Sequence, residues 1–252
     1  MSGAAIRASL ATGVMVALSA VSAAAQQPAG RFTLSLGAGV QAASPALNQR
    51  FEFLRPVDQA ENATADVRYA GNAALLIDGG IARRFTKDIG VGLSISRYQG
   101  DSRADVTAQI PHPFEFNRLR DVSGAASGLD RTELGYHVQV QYSRPIGTRL
   151  RLVLAAGPTL FDVTRQIVES VDVDESYPFD TATFRRARRS AAKGRAVGFN
   201  AGVDLVWTIN RSAGLGALLR YARGTADLDA PSRTVTVDVG GVQACMGLRL
   251  YF

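Results

Sequence analysis

From residue 31 onward the chain alternates apolar and polar side chains in segments of roughly ten residues, the two-residue period of a strand whose faces meet different surroundings. Eight such strands are predicted, over residues 31–42, 73–85, 89–99, 131–144, 149–163, 196–209, 213–224 and 234–252. In the fourth, Leu134, Tyr136, Val138, Val140 and Tyr142 share one face, and Glu133, Gly135, His137, Gln139, Gln141 and Ser143 the other. The sixth sets Val197, Phe199, Ala201, Val203, Leu205, Trp207 and Ile209 against Gly198, Asn200, Gly202, Asp204, Val206 and Thr208.

Connection lengths alternate. Short turns are predicted near residues 86–88, 147–148 and 210–212, and long polar connections over 43–72, 100–130 and 164–195, with a shorter fourth near 225–233. An even number of antiparallel strands with tight turns on one side and long loops on the other is the plan of a bacterial outer-membrane barrel. Connections this long are uncommon inside a compact soluble domain.

Alternation alone does not say whether the apolar face meets a core or lipid. The polar face decides, because it is rich in small residues: Gly37, Gly39, Gly90, Gly92, Ser94, Gly198, Gly202, Gly214 and Gly216. A water-facing surface would carry many Lys and Glu, yet Lys87 and Lys193 are the only lysines in the chain. Small residues suit the narrow interior of an eight-stranded barrel. Phe32, Phe85, Tyr142, Trp207 and Phe252 fall at the ends next to the short turns, and Tyr136 and Tyr221 towards the opposite rim, as two interfacial aromatic girdles would. Shifting every strand by one residue would put Asp78, Asp204, His137, Gln139, Gln141 and Asn200 into lipid, so the register is firm.

The first 25 residues read as a secretory leader: Arg7, an apolar stretch over 8–21 too short to span a bilayer, then Ser22-Ala23-Ala24-Ala25, with the cut expected after Ala25. Residues 26–252 then form one barrel domain. A single cysteine, Cys245, rules out an internal disulfide. The balance of 28 Lys+Arg against 22 Asp+Glu is modestly basic and concentrated in one segment, a poor match to a nucleic-acid partner.

The carboxyl end reads GGVQACMGLRLYF, with Met246, Leu248, Leu250 and Phe252 at alternate positions. This resembles the closing strand of bacterial outer-membrane barrels, which implies that these four residues form the signal read by the barrel-assembly machinery. With its eight strands the mature chain resembles the small OmpA/OmpX-type barrel family, an all-β, eight-stranded antiparallel transmembrane barrel with short periplasmic turns and long extracellular loops. The chain departs from larger members in ending at Phe252 without a peptidoglycan-binding domain, so cell-wall anchoring is not expected.

The lumen is expected to hold Asp78, Arg84, Glu133, His137, Gln139, Gln141, Arg151, Asn200, Asp204, Arg220, Gln243 and Arg249, with an ion pair between Asp204 and Arg220 across the 210–212 turn. Such a set is either a plug of mutually satisfied groups or a narrow polar conduit. In the third long connection Arg185, Arg186, Arg188, Arg189, Lys193 and Arg195 are candidates for lipopolysaccharide phosphates, set against a self-neutralising loop in which Glu169, Asp172, Asp174 and Glu175 answer them. Some barrels of similar size act on lipid A, but His112 and His137 are the only histidines, and neither stands in a nucleophile–base signature. No spacing for a metal or nucleotide cofactor occurs. The expectation is a non-enzymatic barrel in contact with outer-membrane lipid and lipopolysaccharide, whose extracellular loops meet an outside partner or support the envelope. A small diffusion channel is the alternative.

Overall fold

The computed structural model describes residues 31–42, 46–54 and 61–252. The expected leader and its cut after Ala25 lie outside the described residues. Ten strands follow in chain order: β1 (Phe32–Gln41), β2 (Leu47–Phe53), β3 (Ala63–Gly71), β4 (Ala74–Arg84), β5 (Ile89–Pro111), β6 (Leu119–Pro145), β7 (Leu150–Glu175), β8 (Ala182–Thr208), β9 (Ala213–Asp229) and β10 (Thr234–Tyr251).

Eight of these, β1 and β4 to β10, close into an antiparallel ring, with β10 returning to β1 and β5 pairing with both β4 and β6. The seam is finished by the last residue. Phe252 and Phe32 exchange backbone hydrogen bonds of 2.9 and 3.1 Å, and their rings stack at 6.1 Å. Tight turns join strands at this end because short polar side chains satisfy the freed amides. Thr86 Oγ1 accepts from the amides of Asp88 and Ile89, and Asn210 Oδ1 from that of Ser212.

On the outer wall Leu36, Ile77, Leu93, Val138, Val140, Leu154, Val197, Leu219 and Leu248 are exposed, an apolar belt that only lipid can cover. Phe85, Tyr142, Trp207 and Phe252 edge it at the turn end, and Tyr136, Phe199 and Tyr221 at the other. Arg83, outward at the turn end, rests its guanidinium on the Phe32 and Phe85 rings at 5.4 and 5.5 Å.

The long connections leave from the expected end of the barrel, but they are not loops. Strands β5 to β8 run on for 23, 27, 26 and 27 residues, far beyond the ~9–11 that cross a bilayer. Residues 100–111, 119–130, 164–175 and 182–195, expected as polar connections, continue the ladders outward. The connection over 43–72 holds a hairpin of its own, β2–β3, whose second strand pairs with the outer half of β5.

The physical reason is an exchange of polarity between the two faces, with bulges shifting the register where β5 meets β6 and where β7 meets β8. Along β5 the outward residues begin Ile89, Val91, Leu93, Ile95 and become Arg97, Gln99, Asp101, Arg103, Asp105; the inward ones begin Gly90, Gly92, Ser94, Ser96 and become Ala104, Val106, Ala108, Ile110. Strand β10 repeats the change, with Val235, Val237 and Val239 inside against Gln243 and Arg249 nearer the turns. Below the outer girdle the wall is apolar outside; above it the wall faces water and the apolar side turns inward. The inner faces of the upper halves pack into one dry core that includes Phe51, Val67, Tyr69, Val106, Ile110, Leu129, Phe161, Ile167 and Leu228. Each large aliphatic or aromatic side chain so buried contributes roughly 1.5–3 kcal/mol. The molecule is a membrane barrel carrying a folded head beyond its outer girdle.

Candidate functional site

Three polar layers fill the barrel below the head. Nearest the turns, Arg249 grips Asp204 with two hydrogen bonds of 2.7 and 3.0 Å, and Arg151 donates to Ser143 Oγ at 2.9 Å. In the middle, Arg220 donates to Asp78 at 2.6 Å, to Gln243 at 2.6 Å and to Ser94 at 3.2 Å. On the other side of the same depth, His137 stands between the hydroxyls of Ser96 and Thr159, and Asn200 joins Gln139 to Thr159. Under the head, Gln243 donates to Gln41, which donates to Glu133, itself paired with Arg131. Gly240, at a φ of 86° that a side chain would resist, gives its amide to the same carboxylate at 3.0 Å.

All twelve residues assigned to the lumen from the sequence face inward: Asp78, Glu133, His137, Gln139, Arg151, Asn200, Arg220, Gln243 and Arg249 are buried, and Arg84, Gln141 and Asp204 line a cavity at the turn end. The expected Asp204–Arg220 pair is wrong. In the β8–β9 register Asp204 stands opposite Leu218, and Arg220 opposite Gly202. Arg220 instead points towards β4 and takes Asp78. Arg249 crosses β9 to Asp204 because the strand between them offers Gly216, where a Cβ would lie 2.7 Å from the guanidinium carbon. Adjacent-strand reasoning missed this because long arginines in a narrow barrel reach past a neighbour.

The sequence reading also missed Gln41, Ser96, Arg131 and Thr159 in the network. Inward parity on their strands was the available signal.

Ser96 Oγ lies 2.9 Å from His137 Nε2, the contact of a nucleophile and its base. The other ring nitrogen meets the Thr159 hydroxyl rather than a carboxylate, and Ser96 and His137 are both buried among polar partners. The second histidine is a joint between two hairpins. His112 Nδ1 accepts from the amides of Phe114 and Glu115, and its Nε2 lies 3.3 Å from the Pro178 carbonyl oxygen. Among the described residues no cluster of His, Cys, Asp and Glu could hold a metal ion.

The candidate lipopolysaccharide cations lie on strand β8 rather than in a mobile loop, and carboxylates answer most of them. Arg186 and Arg188 share Asp172, Arg185 lies 3.7 Å from Asp174, and Arg195 pairs with Asp162. Arg189 donates to the Ser127 and Gly128 carbonyls, and Lys193 stands opposite Asp229. These pairs are largely exposed and each contributes well under about 1 kcal/mol. They fasten the β7–β8 hairpin without leaving a strong cationic face.

At its far end the head carries a different surface. The β5–β6 turn, His112–Arg118, meets the β7–β8 turn through Arg118–Asp180 at 2.8 Å and Arg120–Glu175 at 2.7 Å. Arg120 also donates to the Phe179 and Pro111 carbonyls. The β2–β3 connection joins them where Glu61 accepts from the Asn117 amide at 2.9 Å. On this braced platform Phe114, Phe116 and Tyr177 stand 78%, 70% and 86% exposed, with Phe179 edge-on to Phe114 at 5.4 Å. Aromatics beside prolines, in PHPFEF and SYPF, were the sequence signal for this crown.

No protein-family model matches the chain, and no curated protein matches its sequence. Solved structures do match. The outer membrane protein OprG from Pseudomonas aeruginosa shares 13% identity at a TM-score of 0.50, covering 91% of this chain and 99% of that one. Neisserial surface protein A aligns at 12% identity and TM-score 0.44, over 88% of this chain and 96% of that one. The outer membrane protease OmpT from Escherichia coli aligns at 9% and 0.48, over 89% and 97%. The likeness to OprG shows the fold, the small outer-membrane β-barrel.

Proposed function

We propose that this outer-membrane barrel is a surface-interaction protein: the membrane part anchors, the head projects, and the aromatic crown makes the contact. The observation that carries this reading is the exposure of Phe114, Phe116 and Tyr177 together at the outermost turns. Turn tips in water are ordinarily polar, and clustered exposed aromatics mark a surface that another molecule covers. Bracing by Arg118, Arg120, Glu61 and Asp180 adds support, because a preorganised platform loses little entropy on binding.

The runner-up, a diffusion channel, has the interior against it. A solute would have to part the Asp78–Arg220–Gln243 layer and then the dry core of the head. Catalysis has no exposed nucleophile–base pair in its favour among the described residues.

The test is attachment of cells displaying the wild-type barrel, compared with the triple variant Phe114→Ser, Phe116→Ser, Tyr177→Ser, on protein-coated and apolar surfaces. Losing three partner-buried aromatics weakens contact at least about tenfold, with the heat-modifiable gel shift of the folded barrel unchanged. Equal attachment by both would sink the proposal, and steady salt-dependent conductance of the refolded protein would move the function to the lumen.

A further inference from the structure

Among the described residues Arg120, Arg131, Arg151, Arg165, Arg220 and Arg249 are the buried arginines, and all but one hold an oxygen. Arg120 takes the Phe179 and Pro111 carbonyls, Arg131 takes Glu133, Arg151 takes Ser143, Arg220 takes Asp78 and Arg249 takes Asp204. Arg165 is the exception. It is 4% exposed, its Nε has no hydrogen-bond partner, and its guanidinium lies 4.9 Å from the centre of the Tyr69 ring, a face that attracts a cation without neutralising it.

Its place in the fold keeps carboxylates away. Arg165 sits on β7 at the floor of the head, between the inward and fully buried Val163 and Ile167. Its partner across the β6–β7 ladder is Arg131, also buried, so two guanidinium-bearing side chains leave directly opposed positions on the same face. Glu133 is already taken: Arg131 occupies one carboxylate oxygen, while the Gln41 side chain at 3.2 Å and the Gly240 amide at 3.0 Å occupy the other. Arg131, Arg165 and Glu133 together therefore keep one positive charge in excess. Burial first, and Arg131 second, lower the Arg165 pKa from its ordinary value to about 10, so the charge is carried at neutral pH.

A buried cation without a counter-charge is costly until an anion joins it. Charge and donor supply select the anion. One negative charge balances the three side chains, and two would overshoot. The donors at hand are the Arg165 guanidinium and the Tyr69 hydroxyl, which accepts from the Val168 amide and keeps its own proton to give. Beside the aliphatic walls of Val163 and Ile167, so few donors would leave a doubly charged oxyanion short of hydrogen bonds, but they suffice for a small monovalent ion.

We propose that Arg165 holds a single monovalent anion of the chloride class between the polar lumen and the apolar core, and that this ion is a structural part of the head. The site is independent of the crown and of the function proposed for it.

The experiment follows the urea midpoint of the refolded mature protein through increasing sodium chloride, with sodium gluconate holding the ionic strength constant. The midpoint should rise with chloride and saturate. Arg165→Met removes the cation and should flatten the dependence, whichever way it moves the midpoint itself. Arg165→Lys keeps the charge without the fork and should need at least about tenfold more chloride, the loss of one charge-assisted hydrogen bond. Arg103→Met deletes an exposed guanidinium paired with Asp105 and should behave as wild type. A crystal grown in bromide gives the direct readout, an anomalous peak in contact with the Arg165 guanidinium. No chloride dependence in the wild type, the same dependence in Arg165→Met, or a bromide crystal without that peak overturns the site. If Arg165→Met does not give the folded gel band, Arg165→Lys and the bromide peak decide.

Discussion

Arg220 and Arg249 divide the two lumen aspartates by reach across the barrel, and each pair is buried enough that losing one partner strands the other. Asp78→Leu leaves Arg220 uncompensated and should cost about 3–5 kcal/mol, read as a lower urea midpoint for the refolded protein; an unchanged midpoint would remove the pair from the account. Gly216 is the residue that permits the second pair. A side chain there displaces the Arg249 guanidinium from Asp204, so Gly216→Val should destabilise by about 1–3 kcal/mol, and adding Asp204→Leu to Gly216→Val should cost much less than it does alone. Full additivity of the two would contradict the crossing. The inward set itself was legible, because parity alone places a side chain in the lumen. Partner choice was not, since it depends on which intervening strand has a glycine to pass over.

At the scale of the elements, the upper halves of β5 to β8 show what periodicity conceals. An apolar/polar repeat searched for with its apolar face outward stops where Ile95 gives way to Arg97, although the strand continues to Pro111. The two-residue period resumes with its polarity exchanged between faces and is interrupted by register shifts at Ser102/Ala104 and Val168/Ser170, so residues 100–130 and 164–195 read as polar connections although Val106, Ile110, Leu129, Ile167 and Val171 within them are core. Belt, girdles and seam were legible for the opposite reason: lipid imposes one sign of polarity over a fixed depth. The head makes its own pH prediction through Tyr69, whose hydroxyl accepts from the Val168 amide at 2.9 Å and whose ring lies 4.9 Å from the Arg165 guanidinium. Burial holds the Tyr69 phenol above its usual value of 10.0, while the Val168 amide and nearby arginines pull the other way. Raised in the fold, it contributes stability that is complete below about pH 10 and is lost as pH rises through the folded value. Limited proteolysis should therefore find the head cleaved progressively above that pH while the barrel band persists, and Tyr69→Phe should shift the onset. An onset unmoved by Tyr69→Phe would take the phenol out of the explanation.

For the whole molecule, one ring of strands serves two solvents. Lipid selects the lower half and water the upper, and the layers around Asp78, Arg220 and Glu133 mark the change between a polar lumen and an apolar core. Holding the exposed aromatics Phe114, Phe116 and Tyr177 at the end of a folded head, rather than on free loops, fixes their spacing and keeps them clear of the membrane belt. This arrangement depends on the upper strands being cooperative structure. Hydrogen–deuterium exchange of the refolded mature protein, resolved along residues 100–130 and 164–195, tests that most directly. Amides in these stretches are predicted to be protected for hours, nearly as long as those of the membrane belt, with fast exchange confined to the turns around Phe116 and Tyr177. Exchange within seconds along both stretches would mean mobile loops on an eight-stranded barrel, and would contradict the head and the crown it carries.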